Sequence, residues 1–273
     1  MLSIRESNLR ERNREIRQED RQPGESNLAF LQRHWASEAF ADAEIGVVLV
    51  GGRTSLDLCL RFAQSLARYD RSPSSWSEVF LIVRSAEGFQ SFGVHLPAIQ
   101  TPMAHQSERL LRNVPTWNNG IQTGIEALID SPIDYPNIAL LRLSTETRAQ
   151  LRATEHGLAF DATAAIDQYR RRGDVISTAE CAWRWLGYAW GIRGQGNPLH
   201  EGVGFPAAMV VDSVLNTLGL DLTPGLASHS SCPEAIWQTF SWWHTDDAAA
   251  QVEQRGPTRF RGVCCRSHVI DEA

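Results

Sequence analysis

Residues 44–83 read EIGVVLVGGRTSLDLCLRFAQSLARYDRSPSSWSEVFLIV, and they contain the strongest strand signals of the chain. Ile45–Val50 and Val79–Val83 are short, uninterrupted apolar runs, a pattern typical of buried strands. Between them, Ser55–Tyr69 mixes apolar and charged residues and predicts a helix, and Ser72–Ser75 with its proline predicts a turn. The stretch therefore predicts a strand, a helix, a turn and a second strand.

The elements predicted outside this stretch are separated by type along the chain. Two further strands are expected at Gly93–Ile99 and Ile138–Leu143. Helices are expected at Ser144–Thr154, Ala159–Arg172, Thr178–Trp190 (with Ser177 or Thr178 as the N-cap), Ala207–Leu218 and Pro233–Trp243. Because the strands come mostly in the first half and the helices mostly in the second, the order favours an α+β fold over a repeated βαβ fold.

The N-terminal segment differs in composition from the rest. Residues 1–24 are rich in arginine and glutamate and end in Pro23-Gly24. We expect a polar arm there, either a solvated helix or a disordered segment, followed by one α+β domain over residues 25–273. The arm has no apolar core of a signal peptide, and no apolar run has the length of a membrane span, so a soluble, cytoplasmic protein is expected.

Composition excludes several classes of function. The net charge is −6, which gives little support to nucleic-acid binding. All 26 basic residues are arginine, so chemistry that depends on lysine, such as a Schiff base or a P-loop, is excluded. The five cysteines form no CxxC pair, and Cys264-Cys265 with His268 matches no common zinc spacing. We therefore expect no metal, no cofactor and no disulfide framework.

The stretch 201–234, EGVGFPAAMVVDSVLNTLGLDLTPGLASHSSCPE, predicts a Gly-rich turn, a helix and a loop before another helix. The first helix ends at Gly219, a natural residue for a helix C-terminus. In the loop that follows, Cys232 lies just before the next helix, for which Ser231 is a suitable N-cap and Pro233 a suitable early residue.

Together, the stretches 44–83 and 201–234 resemble the circularly permuted NlpC/P60 domains of the YiiX-like and lecithin:retinol acyltransferase-like type. The resemblance covers about residues 45–245 and implies a papain-like antiparallel sheet packed against helices. In that family a Ser-His pair opens one strand, and a Cys-Ser pair much later opens a helix packed on that strand.

The resemblance also implies that both catalytic residues are absent. The position of the family's histidine is held by Glu78, and the position of its cysteine is held by Pro206 or Ala207. Neither proline nor alanine can supply a thiolate nucleophile. The resemblance thus implies a catalytically degenerate domain that acts as a binding or scaffolding module.

A second hypothesis retains catalysis through other residues. Cys232 near a helix N-terminus is expected to gain thiolate character, and His229 or His244 is close enough in sequence to serve as its base. Glu78 beside an apolar strand is an alternative base. This hypothesis predicts a thiol-dependent amide or ester hydrolase, or an acyltransferase; no GxSxG motif supports a serine hydrolase.

Binding residues are expected near the mouth of the predicted cleft and late in the chain. The Gly-rich segment Gly194–Gly204 lacks a P-loop lysine and is expected to shape the cleft, with His200 as a hydrogen-bonding loop residue. Adjacent Trp242 and Trp243 cannot both face one side of a helix, which favours a contact with a partner protein or an apolar, acyl-type ligand. A third possibility is an unrelated α+β fold whose helix only imitates this pattern, and it would be revealed if Val79–Val83 and Ala207–Leu218 did not pack together.

Overall fold

A computed structural model describes residues 16–41, 43–97, 121–143, 156–171, 174–192, 194–223, 230–241 and 260–270. Its centre is one seven-stranded sheet. The strands are β1 (Ile16–Gln18), β2 (Ile45–Gly51), β3 (Glu78–Ser85), β4 (Gly88–Gly93), β5 (Gln122–Thr123), β6 (Asn137–Leu143) and β7 (Phe260–Cys265). Their order across the sheet is β1-β7-β6-β2-β3-β4-β5, and all neighbours are antiparallel except β1 and β7, which are parallel.

Helices cover both faces of this sheet. The α-helices are α1 (Asn27–Trp35), α2 (Ser55–Ala63), α3 (Ile125–Leu128), α4 (Leu158–Arg171), α5 (Asp174–Ala189), α6 (Pro206–Thr217) and α7 (233–241). Short 3-10 turns occur at Glu38–Phe40, Gln64–Ala67 and Pro198–Glu201.

The central strand β2 shows why its sequence is apolar at nearly every position. Val47 pairs with Leu81 and faces the core under α2, α4, α5 and α6, whereas the next residue, Val48, pairs with Phe80 and faces the core under α1 and α3. Successive side chains of a strand point to opposite faces. A strand covered by helices on both faces must therefore be apolar throughout.

Helix α6 lies on β3, and its ends are set by local sequence. Pro206 occupies the first turn, and Gly219 after the last turn has a φ of 94°. The Gly219 N–H donates to the Asn216 carbonyl and the Leu220 N–H donates to the Leu215 carbonyl, the bonding pattern of a Schellman C-terminus. Helix α6 packs against β3, so residues 79–83 and 207–218 are in contact.

Three of the four predicted strands and most of the predicted helices are found, with shifted ends. The helix expected at Ser55–Tyr69 ends at Ala63 and continues as a 3-10 turn. The strand expected at Gly93–Ile99 is wrong in position, because the β3–β4 hairpin turns early and β4 ends at Gly93. The helix expected at Ser144–Thr154 lies outside the described residues.

The N-terminus predicted for α5 is also wrong. The helix begins at Asp174, so neither Ser177 nor Thr178 is its N-cap. Thr178 is buried inside the helix, and its hydroxyl lies 2.6 Å from the Tyr169 hydroxyl of α4. Its side chain therefore joins two helices rather than capping one.

Two corrections concern the ends of the chain. Part of the predicted arm, Ile16–Gln18, is strand β1, and Arg21 donates hydrogen bonds to Asn27 and to the Pro136 carbonyl. The last strand, β7, follows the helices and lies between β1 and β6, so the sheet is mixed and not antiparallel throughout. The α+β class is confirmed, because the sheet is antiparallel except for the β1–β7 pair, and helices α4 to α7 follow one another between β6 and β7.

Candidate functional site

A cluster of buried ionisable and hydroxyl side chains lies at one end of the sheet, where β2 ends and β3 begins. Asp57, Ser77, Glu78, His95 and Tyr135 are all buried there. Asp57 comes from the first turn of α2, Ser77 and Glu78 from the start of β3, His95 from the segment after β4, and Tyr135 from the turn before β6. Ionisable groups in such numbers are rarely buried without a specific reason.

Glu78, His95 and Tyr135 form a continuous chain of hydrogen bonds. His95 Nδ1 contacts Glu78 Oε2, and the Leu96 N–H donates to Glu78 Oε1 over 2.9 Å. On its other side, His95 Nε2 lies 3.3 Å from the Tyr135 hydroxyl. The order hydroxyl, imidazole, carboxylate is the one found in acid–base relays.

A second group surrounds Asp57. The Ser77 hydroxyl donates to Asp57 Oδ1 over 2.8 Å, and the Thr54 hydroxyl donates to Asp57 Oδ2 over 2.6 Å. The Thr54 N–H also donates to Asp57, which completes a capping box at the start of α2. A side chain at Gly52 has no room, because a Cβ there would lie 2.7 Å from Asp57 Oδ1 and closer still to Oδ2.

Burial and neighbouring charge set the protonation of the first group. Burial raises the pKa of Glu78, although the His95 charge and hydrogen bond oppose this rise. Burial acts to lower the pKa of His95, but the adjacent Glu78 carboxylate more than compensates, and the net direction is upward. Burial, with the Glu78 charge, also raises the pKa of the Tyr135 hydroxyl. Tyr135 is therefore a neutral hydrogen-bonding group and not a phenolate nucleophile.

Arg61 fixes this end of the sheet to the C-terminal residues. It is 1% exposed, and it donates to the carbonyls of Gly52, Ser74 and His268. Burial lowers the pKa of Arg61 to about 10, while the Asp57 charge acts in the opposite direction. Its remaining contact is with His268 Nδ1, so His268 is engaged in this network.

The structure places Cys232 at a helix N-terminus, as expected, but buries it. Cys232, and not Ser231, is the N-cap of α7, since the Ile236 N–H donates to the Cys232 carbonyl. Burial raises the pKa of Cys232 to about 12, although the backbone N–H groups of Ala235 and Glu234 act to lower it. The expected gain of thiolate character is therefore wrong for this structure. Desolvation outweighs the helix N-terminus.

The positions assigned from the family resemblance are also enclosed. Pro206 and Ala207 open α6 and are both buried. Glu78 is 2% exposed, and each of its oxygens already accepts a hydrogen bond. Glu78 thus has a histidine partner. This histidine is His95, which lies after β4 and not at the position that the resemblance assigns to the family's histidine.

The remaining predicted residues lie apart from this cluster or outside the described part. His200 is an exposed residue of a 3-10 turn. His229, His244, Trp242 and Trp243 are not among the described residues. Cys264 and Cys265 point to opposite faces of β7, and among the described residues no group of His, Cys, Asp and Glu side chains is arranged to hold a metal ion.

Sequence reasoning missed Asp57, Arg61, His95 and Tyr135. The pattern Thr54-x-x-Asp57 is a visible capping signal. His95 follows an apolar strand without any motif around it, and Tyr135 stands in a turn, so neither had a signal in the sequence.

Three comparisons complete the description. No family model, no curated protein and no solved structure matches the chain. Within the described residues, none of the helices combines the length and apolar character that crossing a membrane requires.

Proposed function

We propose that the chain is a papain-like domain of the permuted NlpC/P60 type that has lost thiol catalysis and acts as a binding or scaffolding module. The packing of α6 on β3 supports the fold, because the resemblance places its two key positions at the starts of these elements.

The loss of catalysis is inferred from one observation: the candidate reactive groups are buried. A nucleophile must meet its substrate, and a general base must lie within hydrogen-bond reach of the proton it removes. Cys232 is buried with a raised pKa, and Glu78 is enclosed by His95 and Leu96.

A binding surface is available on α5 and the turn that follows it. Trp183 is 52% exposed, Trp190 is 40% exposed and Ile192 is 49% exposed. Trp190 comes directly after the last residue of α5, and its N–H donates to the Leu186 carbonyl, so Trp183 and Trp190, seven residues apart, lie on the same side. Gly187 lies between them, and the Gln195 side chain packs against it. Exposed tryptophans of this kind supply much of the contact energy in protein interfaces and apolar binding sites.

One observation favours the second hypothesis, a thiol-dependent hydrolase or acyltransferase. Cys232 lies at the N-terminus of α7, where the backbone N–H groups of Ala235 and Glu234 act to lower its pKa and so favour a thiolate. A rearrangement that exposed this thiol would remove the burial that now raises its pKa.

Hydrolysis of a p-nitrophenyl acyl ester separates the two hypotheses. For a binding module, the intact chain and the Cys232→Ser and Glu78→Gln variants should all hydrolyse the ester at the same background rate. Loss of hydrolysis in Cys232→Ser, with the fold retained by circular dichroism, would show that the thiol is catalytic and would overturn the proposal.

Calorimetric titration with dodecanoate tests the binding surface. We expect saturable binding by the intact chain that is lost in a Trp183→Ser/Trp190→Ser variant. Exposed Phe160 on α4 provides the control, because Phe160→Ser removes an exposed aromatic side chain elsewhere on the surface. Absence of binding, or equal loss in the control, would contradict an acyl ligand on α5.

A further inference from the structure

His95 joins three segments that are distant in the sequence. Its ring contacts Glu78 at the start of β3 and Tyr135 in the turn before β6. Its own backbone N–H donates to Gln122 of β5 over 2.9 Å. One buried imidazole thus ties residues 94–97 to the starts of two strands that are not neighbours in the sheet.

The contacts extend from Tyr135 to the N-terminal part of the chain. The Tyr135 carbonyl accepts hydrogen bonds from Asn27 Nδ2 over 2.9 Å and from Arg21 Nη2 over 3.3 Å. The Tyr135 N–H donates to the Ser131 carbonyl over 2.9 Å. The turn 131–136 is therefore held by His95 on one side and by α1 with its preceding segment on the other.

We propose that the Glu78–His95–Tyr135 chain is a pH-operated latch, which holds residues 94–97 and the turn 131–136 on β3 while His95 is protonated and loosens both when it loses its proton. The proton leaves to solvent, and the Glu78 carboxylate then remains buried without a compensating charge. Such an unpaired buried charge strongly favours opening.

The negative charges around His95 also favour its protonated form, and with it the closed latch. Asp57 of α2 adds a second negative charge, which acts on both Glu78 and His95. Asp134 of the turn acts on Tyr135, and Arg61 of α2 is paired electrostatically with Asp57. Loss of the His95 proton therefore leaves two carboxylates near one another, with Arg61 directed at only one of them.

The sign of the pH dependence follows from the raised pKa of His95. In the unfolded or opened state, the pKa of a histidine is about 6.5. A group whose pKa is raised by folding stabilises the closed state fully below this value. The stabilisation is lost as the pH rises through the higher pKa of the closed state. The latch is thus closed in mildly acidic solution and loosens toward alkaline pH.

Amide hydrogen exchange of the full chain, resolved by residue, tests the latch. The Leu96 N–H is the reporter, because it donates to Glu78. After correction for the intrinsic exchange rate, we expect its protection to fall by up to about tenfold per pH unit above pH 6.5, the limit for release of one proton. The Leu140 N–H in the centre of β6 reports global opening and should remain better protected than the Leu96 N–H at every pH, so that the loss at Leu96 is assigned to local opening.

Three variants sharpen the test. In His95→Gln, the pH dependence at Leu96 should disappear. In Tyr135→Phe, the Leu96 amide should keep its pH dependence while the amide of residue 135 loses it. His34→Gln is the matched control, because His34 is also buried but has its pKa lowered by burial, and it should leave the Leu96 response unchanged.

Two results would overturn the latch. One is an unchanged pH dependence at Leu96 in His95→Gln. The other is an NMR titration of the His95 ring in the intact chain with a pKa at or below 6.5. The second measurement needs no variant, so it decides the matter even if His95→Gln does not fold.

Discussion

The reactivity of Cys232 is the most direct measure of whether the chain retains a catalytic thiol. An ordinary cysteine has a pKa of 9.0, whereas burial raises that of Cys232 to about 12. Below the pKa, the thiolate fraction falls tenfold for each pH unit, so near neutral pH Cys232 should hold about a thousandfold less thiolate than an ordinary cysteine. Because alkylation requires the thiolate, its rate should fall by at least this factor.

Iodoacetamide labelling followed by peptide mass spectrometry measures this rate for each cysteine in one sample. The same chain in concentrated urea provides the reference, since unfolding exposes Cys232 and restores its ordinary pKa. We expect labelling of Cys232 at about pH 7.5 to be at least about a thousandfold slower in the folded chain. Cys59 and Cys181 are only partly buried and serve as internal standards for access of the reagent.

A different outcome would refute the reasoning from burial. If folded Cys232 reacted within about tenfold of its unfolded rate, the thiol would be accessible and ionised. A labelling profile with its midpoint near pH 7 would lead to the same conclusion and would favour the thiol-dependent enzyme.

Further predictions concern stability, measured by urea unfolding. Gly52→Ala should cost about 2–4 kcal/mol, because its Cβ displaces the Asp57 carboxylate from its hydrogen bonds; a cost below about 0.5 kcal/mol would contradict this. Arg61→Met should cost about 3–5 kcal/mol, because it leaves the buried carbonyls of Ser74 and His268 without their donor and removes the positive charge that acts on Asp57, whereas Arg184→Met on the surface should cost at most about 1 kcal/mol. Glu78→Gln should remove the loss of stability that the intact chain shows as the pH rises above about 6.5, and an unchanged slope would exclude Glu78 as its source.

The strands that form the middle of the sheet could be predicted because their signal is local. Residues 45–50, 79–83 and 138–141 in the middle of these strands are buried on both faces, and all of them except Gly46 are apolar. The edge of the sheet could not be predicted in this way. Ile16–Gln18 has one apolar residue and owes its conformation to pairing with β7, more than 240 residues away.

The polar cluster depends on contacts that a single sequence does not encode locally. Glu78 was identified as a candidate base from its place beside an apolar strand. Its partner His95 could not be predicted, because the pair forms only when the β3–β4 hairpin turns at residues 86–87 and returns residue 95 to the start of β3. Cys232 shows the opposite case: its place at a helix N-terminus was predictable, but its burial was not, since burial depends on packing from other elements.

The hydrogen bonds among Asp57, Glu78 and their neighbours favour a structural role for the polar cluster at the end of the sheet. Ligand binding is then expected at the exposed tryptophans Trp183 and Trp190. Both oxygens of Glu78 and both oxygens of Asp57 accept hydrogen bonds from groups of the chain itself. A catalytic carboxylate needs an oxygen that can accept a proton or a hydrogen bond from the substrate. The oxygens of Glu78 and Asp57 are instead engaged by groups of the chain, whose positions they fix. The side chains of the exposed tryptophans Trp183 and Trp190 have no comparable hydrogen bonds to buried groups of the chain among the described residues. Substitutions in the cluster should therefore change stability and its pH dependence without changing the affinity for a ligand. Trp183 and Trp190 variants should do the reverse, so that the two kinds of substitution distinguish the framework of the domain from its binding surface.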